Sequence, residues 1–283
     1  MVKHIIPSDL KSALEHLSTG TFQVIAGGTD LMIQKRSTAG TPPHFEKDML
    51  YIANLRELNY CREDAENLHI GATITLEEIL HHQATPKLLK LVISDMASPG
   101  IRHTGTLAGN IANASPAGDS LVALYLLDAL VVLASKKGER IIPLEKFITG
   151  VRRTLMQPDE LIKEIIVPHQ HFDHIKWVKV GGRRADAISK VAFAGAYTIT
   201  NKRISDLRLS FGAVAPTVVR SHEIEETLKN RFVKDIKGDL KAILEKYYDL
   251  ITPIDDQRSN KIYRQEVALN LAKDFIMNIK EEE

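Results

Sequence analysis

In the fourteen-residue run Thr106-Leu107-Ala108-Gly109-Asn110-Ile111-Ala112-Asn113-Ala114-Ser115-Pro116-Ala117-Gly118-Asp119, all but Leu107 and Ile111 are small or polar. They lead directly into the apolar stretch Leu121–Leu133. Core packing does not require so little bulk. A backbone lying flat against a polar ligand does, because Gly, Ala and Ser let amides approach closely and Gly reaches positive φ without strain. The stretch therefore reads as a long, turn-rich binding loop.

A second run of this kind lies upstream. Phe22–Ile25 reads as a short strand, Ala26-Gly27-Gly28-Thr29-Asp30 follows, and Leu31 begins a helix. A strand, a glycine pair and Thr-Asp at a helix start make a phosphate cradle, with successive N–H groups aimed at one place and the helix dipole favouring an anion. The plainer alternative is a tight turn with Thr29 or Asp30 as N-cap. Neither run fits G-x-G-x-x-G or the P-loop pattern, so Rossmann and P-loop folds are disfavoured. Two different loops suggest one extended ligand gripped from two sides.

Other reactive types carry less. His169, His171 and His174, and the pair His81-His82, match no structural zinc spacing and lack supporting cysteines; they read as solvated linker and surface residues. Cys61, in the polar run Asn59–Asn67, reads as a loop residue. As the single cysteine it excludes both an internal disulfide and a Cys-ligated iron–sulfur cluster on this chain. No acid–base pair or nucleophile has persuasive spacing, so no catalytic residue is assigned.

The elements that must position the loops follow from periodicity. Ser8-Asp9 caps a helix with Leu10, Ala13, Leu14 and Leu17 on one face, ended by Gly20. Met49–Ile52 reads as a strand, His69–Ala72 as the end of a hairpin, and Thr75 and Pro86 as helix starts. Asp119 or Ser120 caps a helix carrying Leu121, Leu124, Tyr125 and Leu127, and Ala129–Ala134 and Glu160–Val167 are strands. The polar segment His169–His174 marks a domain boundary. Three β-rich runs follow, then helices at Glu223–Asn230, Ile236–Tyr247 and Asn260–Ile279. Strands followed by helices, without strict alternation, argue α+β.

With 283 residues, 44% of them apolar, and a net charge of +1, the chain is long enough for two domains and a cofactor pocket, and nothing indicates disorder or a nucleic-acid partner. No apolar run is long enough to span a bilayer and no signal-peptide pattern opens the chain, so the cytoplasm is the expected compartment.

Val24–Leu31 (VIAGGTDL) together with Gly105–Asp119 (GTLAGNIANASPAGD) resembles the flavin-binding subunit of molybdenum hydroxylases, the family of xanthine and carbon monoxide dehydrogenases. Asp255–Ala268 (DDQRSNKIYRQEVA) is similar to its C-terminal D-x-R-x-S-x-x-Y-R signature, and Lys179–Val191 (KVGGRRADAISKV) to its basic, small-residue segment. The resemblance implies an FAD domain over residues 1–170, built from two α+β subdomains of about 1–54 and 55–170 in the vanillyl-alcohol-oxidase manner. A smaller domain with a three-stranded antiparallel sheet and helices would follow over 175–283.

The resemblance also assigns roles. Gly27, Gly28, Thr29 and Asp30 would hold the FAD pyrophosphate, with Ile25, Ala26 and Leu31 lining the groove. Asp30, a carboxylate beside a diphosphate, would serve as N-cap or bind a ribose hydroxyl. Thr106, Gly109 and Asn110, with Gly105, would grip from the other side; the family's paired glycines are Ala108-Gly109 here, which suits an Ala108 at negative φ. Asn113 and Asp119 would meet ribityl or ribose hydroxyls, Asp119 doubling as a possible helix cap. Ile162 would shield the isoalloxazine and Lys179 would stand at its N1–C2=O edge, with a surface position as the alternative. Arg183, Arg184 and Asp186 would form charge pairs, and Arg258, Tyr263 and Arg264 would anchor the last helix. No metal is expected on this chain. Electrons would come from [2Fe-2S] clusters of a small partner, themselves fed by a molybdopterin large subunit, and leave for NAD+ or another acceptor. Two rivals stand beside this: a self-sufficient flavoenzyme of the same fold, and an assembly protein that has lost its cofactor.

Overall fold

The computed structural model describes residues 2–280. The strands are β1 (His4–Ile5), β2 (Phe22–Ile25), β3 (Asp48–Tyr51), β4 (Cys61–Glu63), β5 (Asn67–Gly71), β6 (Leu130–Ser135), β7 (Gly138–Pro143), β8 (Ile148–Gly150), β9 (Arg153–Thr154), β10 (Leu161–Pro168), β11 (His174–Val180), β12 (Val191–Thr200) and β13 (Arg203–Gly212). The helices are α1 (Leu10–Thr19), α2 (Leu31–Gln34), α3 (Leu76–His81), α4 (Lys87–Ser94), α5 (Pro99–Arg102), α6 (Leu107–Asn113), α7 (Asp119–Leu126), α8 (Leu144–Phe147), α9 (His222–Leu228), α10 (Val233–Gly238), α11 (Leu240–Leu250) and α12 (Lys261–Met277). Among the described residues no helix is long and apolar enough to cross a membrane.

Two compact units form. The first runs to Pro86 and takes in Ala97–Ala114 and Asp128–His169; the second takes Lys87–Met96, Ser115–Leu127 and the chain from Gln170 onward. The first holds a three-stranded sheet of order β1-β3-β2 whose neighbours are parallel, and a five-stranded antiparallel sheet of order β4-β5-β10-β6-β7. α1 connects two strands of the small sheet. Asp9 caps it by accepting from the Ser12 N–H at 2.7 Å, and Ala13 and Leu17 are buried. The large sheet buries Leu68, Ile70, Val131, Leu133, Ile165 and Val167.

The second unit is built on the antiparallel sheet β11-β12-β13. Its core joins Phe193 and Phe211 of the sheet to Tyr247 of α11 and Phe275 of α12. Gly195 is needed beneath Phe275, since a Cβ there would lie 2.8 Å from the ring. The same unit recruits α4 and α7 from earlier in the chain. α4 buries Leu88, Leu89, Val92 and Ile93, at about 2 kcal/mol each. In α7 all eight residues are buried, the apolar run Leu121–Leu126 together with the polar Asp119 and Ser120.

The α+β class, and the three-stranded antiparallel sheet with helices after it, stand as expected. Several local expectations do not. The stretch 106–119 is not one loop: Leu107, Ala108 and Ile111 have helical spacing, and their burial folds residues 107–113 into α6. Ala108 accordingly keeps a helical, negative φ. Gly118, not Asp119 or Ser120, is the N-cap of α7. Cys61 lies in β4 rather than a loop, half-buried, and burial pushes its thiol up to about 11. The helix expected over Ile236–Tyr247 is two helices, α10 and α11.

Candidate functional site

In the first unit the two glycine-containing segments meet. A Cβ on Gly27 would stand 1.9 Å from the Thr104 carbonyl oxygen, so only glycine permits this approach. Gly105 lies beside Thr29, whose hydroxyl would stand in ordinary contact, at 3.4 Å, with a Cβ placed there. Gly28 has φ +68°, the left-handed region that glycine enters freely. The Gly28 carbonyl accepts from the Met32 N–H at 2.9 Å, which starts the turn of α2. The N–H groups of Gly27, Gly28 and Thr29 have no acceptor among the described residues. Three successive unspent amides around a left-handed glycine make a concave donor set suited to an anion. Ile25 is buried beside them, its carbonyl accepting from Ile52 N–H at 2.9 Å, while Ala26 and Leu31 are half-buried.

Asp30 is not a cap. Its side chain makes no capping bond to α2; Oδ2 accepts instead from Asn113 Nδ2 at 2.9 Å. Asn113 Oδ1 accepts from Gln34 Nε2 at 2.9 Å and from Arg152 Nη1 at 3.2 Å. Three of the four hydrogen bonds an amide side chain can make are thereby spent within the protein. Neither Gln34 nor Arg152 belongs to either glycine-containing run of the sequence. Gln34 was within reach, one helical turn beyond Asp30; Arg152, 39 residues from Asn113, carried no local signal.

The second segment is more self-contained than expected. Thr106 caps α6, its hydroxyl accepting from Gly109 N–H at 3.0 Å, and its carbonyl takes the Asn110 N–H at 3.1 Å. The Gly105 N–H goes to the Ile101 carbonyl at 2.7 Å. These groups contribute shape, with their amides already satisfied. Ile162 stands in β10 at 5% exposure, beside the bulge between Ile162 and Glu164.

In the second unit, Lys179 of β11 and Asp119 of α7 form a buried ion pair at 2.8 Å. Lys179 Nζ also donates to the Asp95 carbonyl at 2.8 Å, and Ser189 Oγ donates to the other Asp119 oxygen at 2.5 Å. Burial pushes the Asp119 carboxyl up, opposed by Lys179 and Ser189. The surface alternative for Lys179 is therefore wrong, and so is a capping role for Asp119. Arg183 turns back onto the carbonyls of Ala185 and Asp186 rather than pairing with a carboxylate. Arg264 is the anchor the C-terminal signature predicts, donating to the Ala213 carbonyl at 2.9 Å and to Asp256 at 2.7 Å. Tyr263 is 40% exposed, with Lys190 over its ring, and its hydroxyl has no hydrogen-bond partner among the described residues. His174 is a strand residue stacked on Tyr197, not linker.

Residues 1–170 match the family described as the FAD binding domain in molybdopterin dehydrogenase, and residues 176–279 match the CO dehydrogenase flavoprotein C-terminal domain. The chain belongs to the FAD-binding medium subunits of this family. FAD is the cofactor of this flavoprotein subunit. It is 30% identical over 274 residues to the glyceraldehyde dehydrogenase medium chain of Sulfolobus acidocaldarius, covering 94% of this chain and 93% of that one. It is 29% identical over 259 residues to the xanthine dehydrogenase FAD-binding subunit of Escherichia coli O157:H7, covering 90% and 87%. In fold, the flavin subunit is similar to a chain of carbon monoxide dehydrogenase from Hydrogenophaga pseudoflava, with a TM-score of 0.85 at 24% identity over 96% of this chain and 95% of that one. Left-handed Gly28 and the three unspent amides fit the diphosphate of such a dinucleotide.

Proposed function

We propose that this chain is the electron-transfer subunit of a molybdopterin-dependent hydroxylase or dehydrogenase, taking electrons from [2Fe-2S] clusters on a small partner and passing them to NAD+ or another acceptor. Bound FAD supplies the redox chemistry; the protein supplies binding, orientation and electrostatics. The observation that carries the reading is the donor set at Gly27, Gly28 and Thr29, closed by Thr104 and Gly105. In this reading those amides hold the diphosphate, Asp30 takes a hydroxyl of the dinucleotide, and the segment from Gly105 through Thr106, Gly109 and Asn110 walls the opposite side. Ile162 is the first-unit residue proposed for the flavin ring, whereas Lys179 Nζ is already engaged by Asp119 and the Asp95 carbonyl. The FAD-binding domain would span 1–170 and the C-terminal domain 175–283, and the complex would work in the cytoplasm.

The relatives' names support the partners, since several are medium chains or subunits of dehydrogenases. The one cysteine agrees with this: the chain cannot ligate a cluster itself, so any cluster that reduces its FAD lies on another chain. The test is to mix the FAD-loaded chain with the reduced cluster-bearing subunit of its complex and follow the flavin's visible absorbance. Rapid bleaching is expected. Failure to bleach in a correctly assembled complex contradicts the electron-transfer role.

A further inference from the structure

Arg152 lies in the turn between β8 and β9 and has φ +55°, a left-handed conformation that costs a non-glycine residue energy. The turn grips the end of α6 twice. The Arg152 N–H donates to the Ala114 carbonyl at 2.9 Å, and its guanidinium donates to Asn113 Oδ1 at 3.2 Å. Ala114 is itself left-handed, at φ +45°, as the C-cap of α6. Asn113 passes the restraint on, because the same amide donates to Asp30 Oδ2 across 83 residues of sequence. Holding the amide oxygen on Arg152 and Gln34 fixes which way the amide plane faces, and so directs its N–H at Asp30. Asp30 is then oriented with Oδ2 occupied and Oδ1 without a partner among the described residues.

We infer that Arg152 is a positioning residue for FAD: acting through Asn113, it presets the Asp30 carboxylate beside the Gly27–Thr29 amides before the cofactor arrives. This rests on the proposal that those amides and Asp30 meet FAD. The contribution is preorganisation, since without Arg152 the Asn113 amide is held by Gln34 alone and the Asp30 carboxylate is less well ordered before binding. The left-handed backbone at Arg152 fits this role, because the strain is kept where a glycine would relieve it and the arginine side chain is what glycine would remove.

The test uses the full-length chain stripped of flavin and titrated with FAD, with apoprotein melting measured in parallel. Arg152→Gly keeps the backbone bond to Ala114, relieves the left-handed strain and deletes only the side chain. Its apoprotein should melt no lower than the parent, while the FAD Kd rises about tenfold, the worth of one hydrogen bond to a charged donor. Arg152→Lys should recover part of that loss. In an Asp30→Ala background Arg152→Gly should change Kd by less than about twofold, since the residue it acts through is gone. An unchanged Kd in Arg152→Gly, or an effect equally large without Asp30, overturns the inference. Gly28→Val is the control: if it retains FAD, the amide cradle is wrong and this inference falls with it; if it loses FAD while Arg152→Gly does not, only the role of Arg152 falls.

Discussion

The Lys179 ammonium stands 2.8 Å from the Asp119 carboxylate, with both side chains more than nine-tenths buried. Such a pair is costly to break from one side, because the charge left behind has lost water and partner together. Lys179→Met should therefore destabilise the second unit by about 3–5 kcal/mol. Lys179→Met combined with Asp119→Leu should recover most of that loss. Trp177, the only tryptophan, lies two residues away on β11 with its Nε1–H on Asp95 at 2.9 Å, so its fluorescence in a denaturant titration reads the effect. An unchanged midpoint in the single variant would contradict the pairing.

Gly28→Val should abolish FAD retention without unfolding the protein. At φ +68° a β-branched residue is strongly disfavoured, and its Cβ would lie 2.9 Å from Ile25 Cδ1. Circular dichroism should stay near that of the parent while the purified variant is colourless. A yellow, fully loaded variant would show that the diphosphate is held elsewhere.

Cofactor selectivity follows from the same cradle. If the diphosphate is the main anchor, FMN, with one phosphate, should bind at least about tenfold more weakly than FAD. Parallel titrations of apoprotein decide it, and equal affinities would dismiss the two-sided grip.

His69 lies between Glu164 Oε1 at Nδ1 and Asp64 Oδ2 at Nε2, each at 2.9 Å, and both ring nitrogens can donate only in the imidazolium. Burial opposes that charge, but the two carboxylates outweigh it and raise the His69 pKa above its ordinary 6.5. Backbone N–H groups of Glu66 and Asn67, with His69, hold Asp64 down at about 2. A raised histidine contributes stability that is complete below 6.5 and is lost as pH rises through its folded value. A depressed aspartate contributes stability that is present above its ordinary 3.8 and is lost as pH falls toward about 2. The Tm difference between the parent and His69→Gln should thus be widest between about pH 4 and 6.5 and shrink on either side. A difference that grows above pH 7 would refute the imidazolium.

Much of this architecture was legible because its signals are local. The apolar spacing of α1, the turn chemistry after β2 and the glycine pair at 27–28 each name their own conformation. α6 was obscured by its composition: Gly109, Asn110 and Asn113 look like loop residues, and only the burial of Leu107, Ala108 and Ile111 reveals the helix. Lys179 could be matched to a family position, but not to its partner, because the bond to Asp119 spans 60 residues and depends on α7 packing onto the sheet of the second unit. Arg152 stayed hidden for the same reason. Its role depends on where the β8–β9 turn falls against the end of α6, and tertiary packing decides that.

In the proposed role, this chain holds FAD and moves electrons without activating an organic substrate itself. Turnover of the lone FAD-loaded chain and of the complex reconstituted with its cluster and molybdenum subunits, measured side by side, tests it most directly. The lone chain should pass electrons from reduced nucleotide or dithionite to dyes and leave purines, aldehydes and carbon monoxide untouched, while oxidation of the organic substrate appears only in the complex. Steady oxidation of such a substrate by the lone, molybdenum-free chain would instead make it a self-sufficient flavoenzyme.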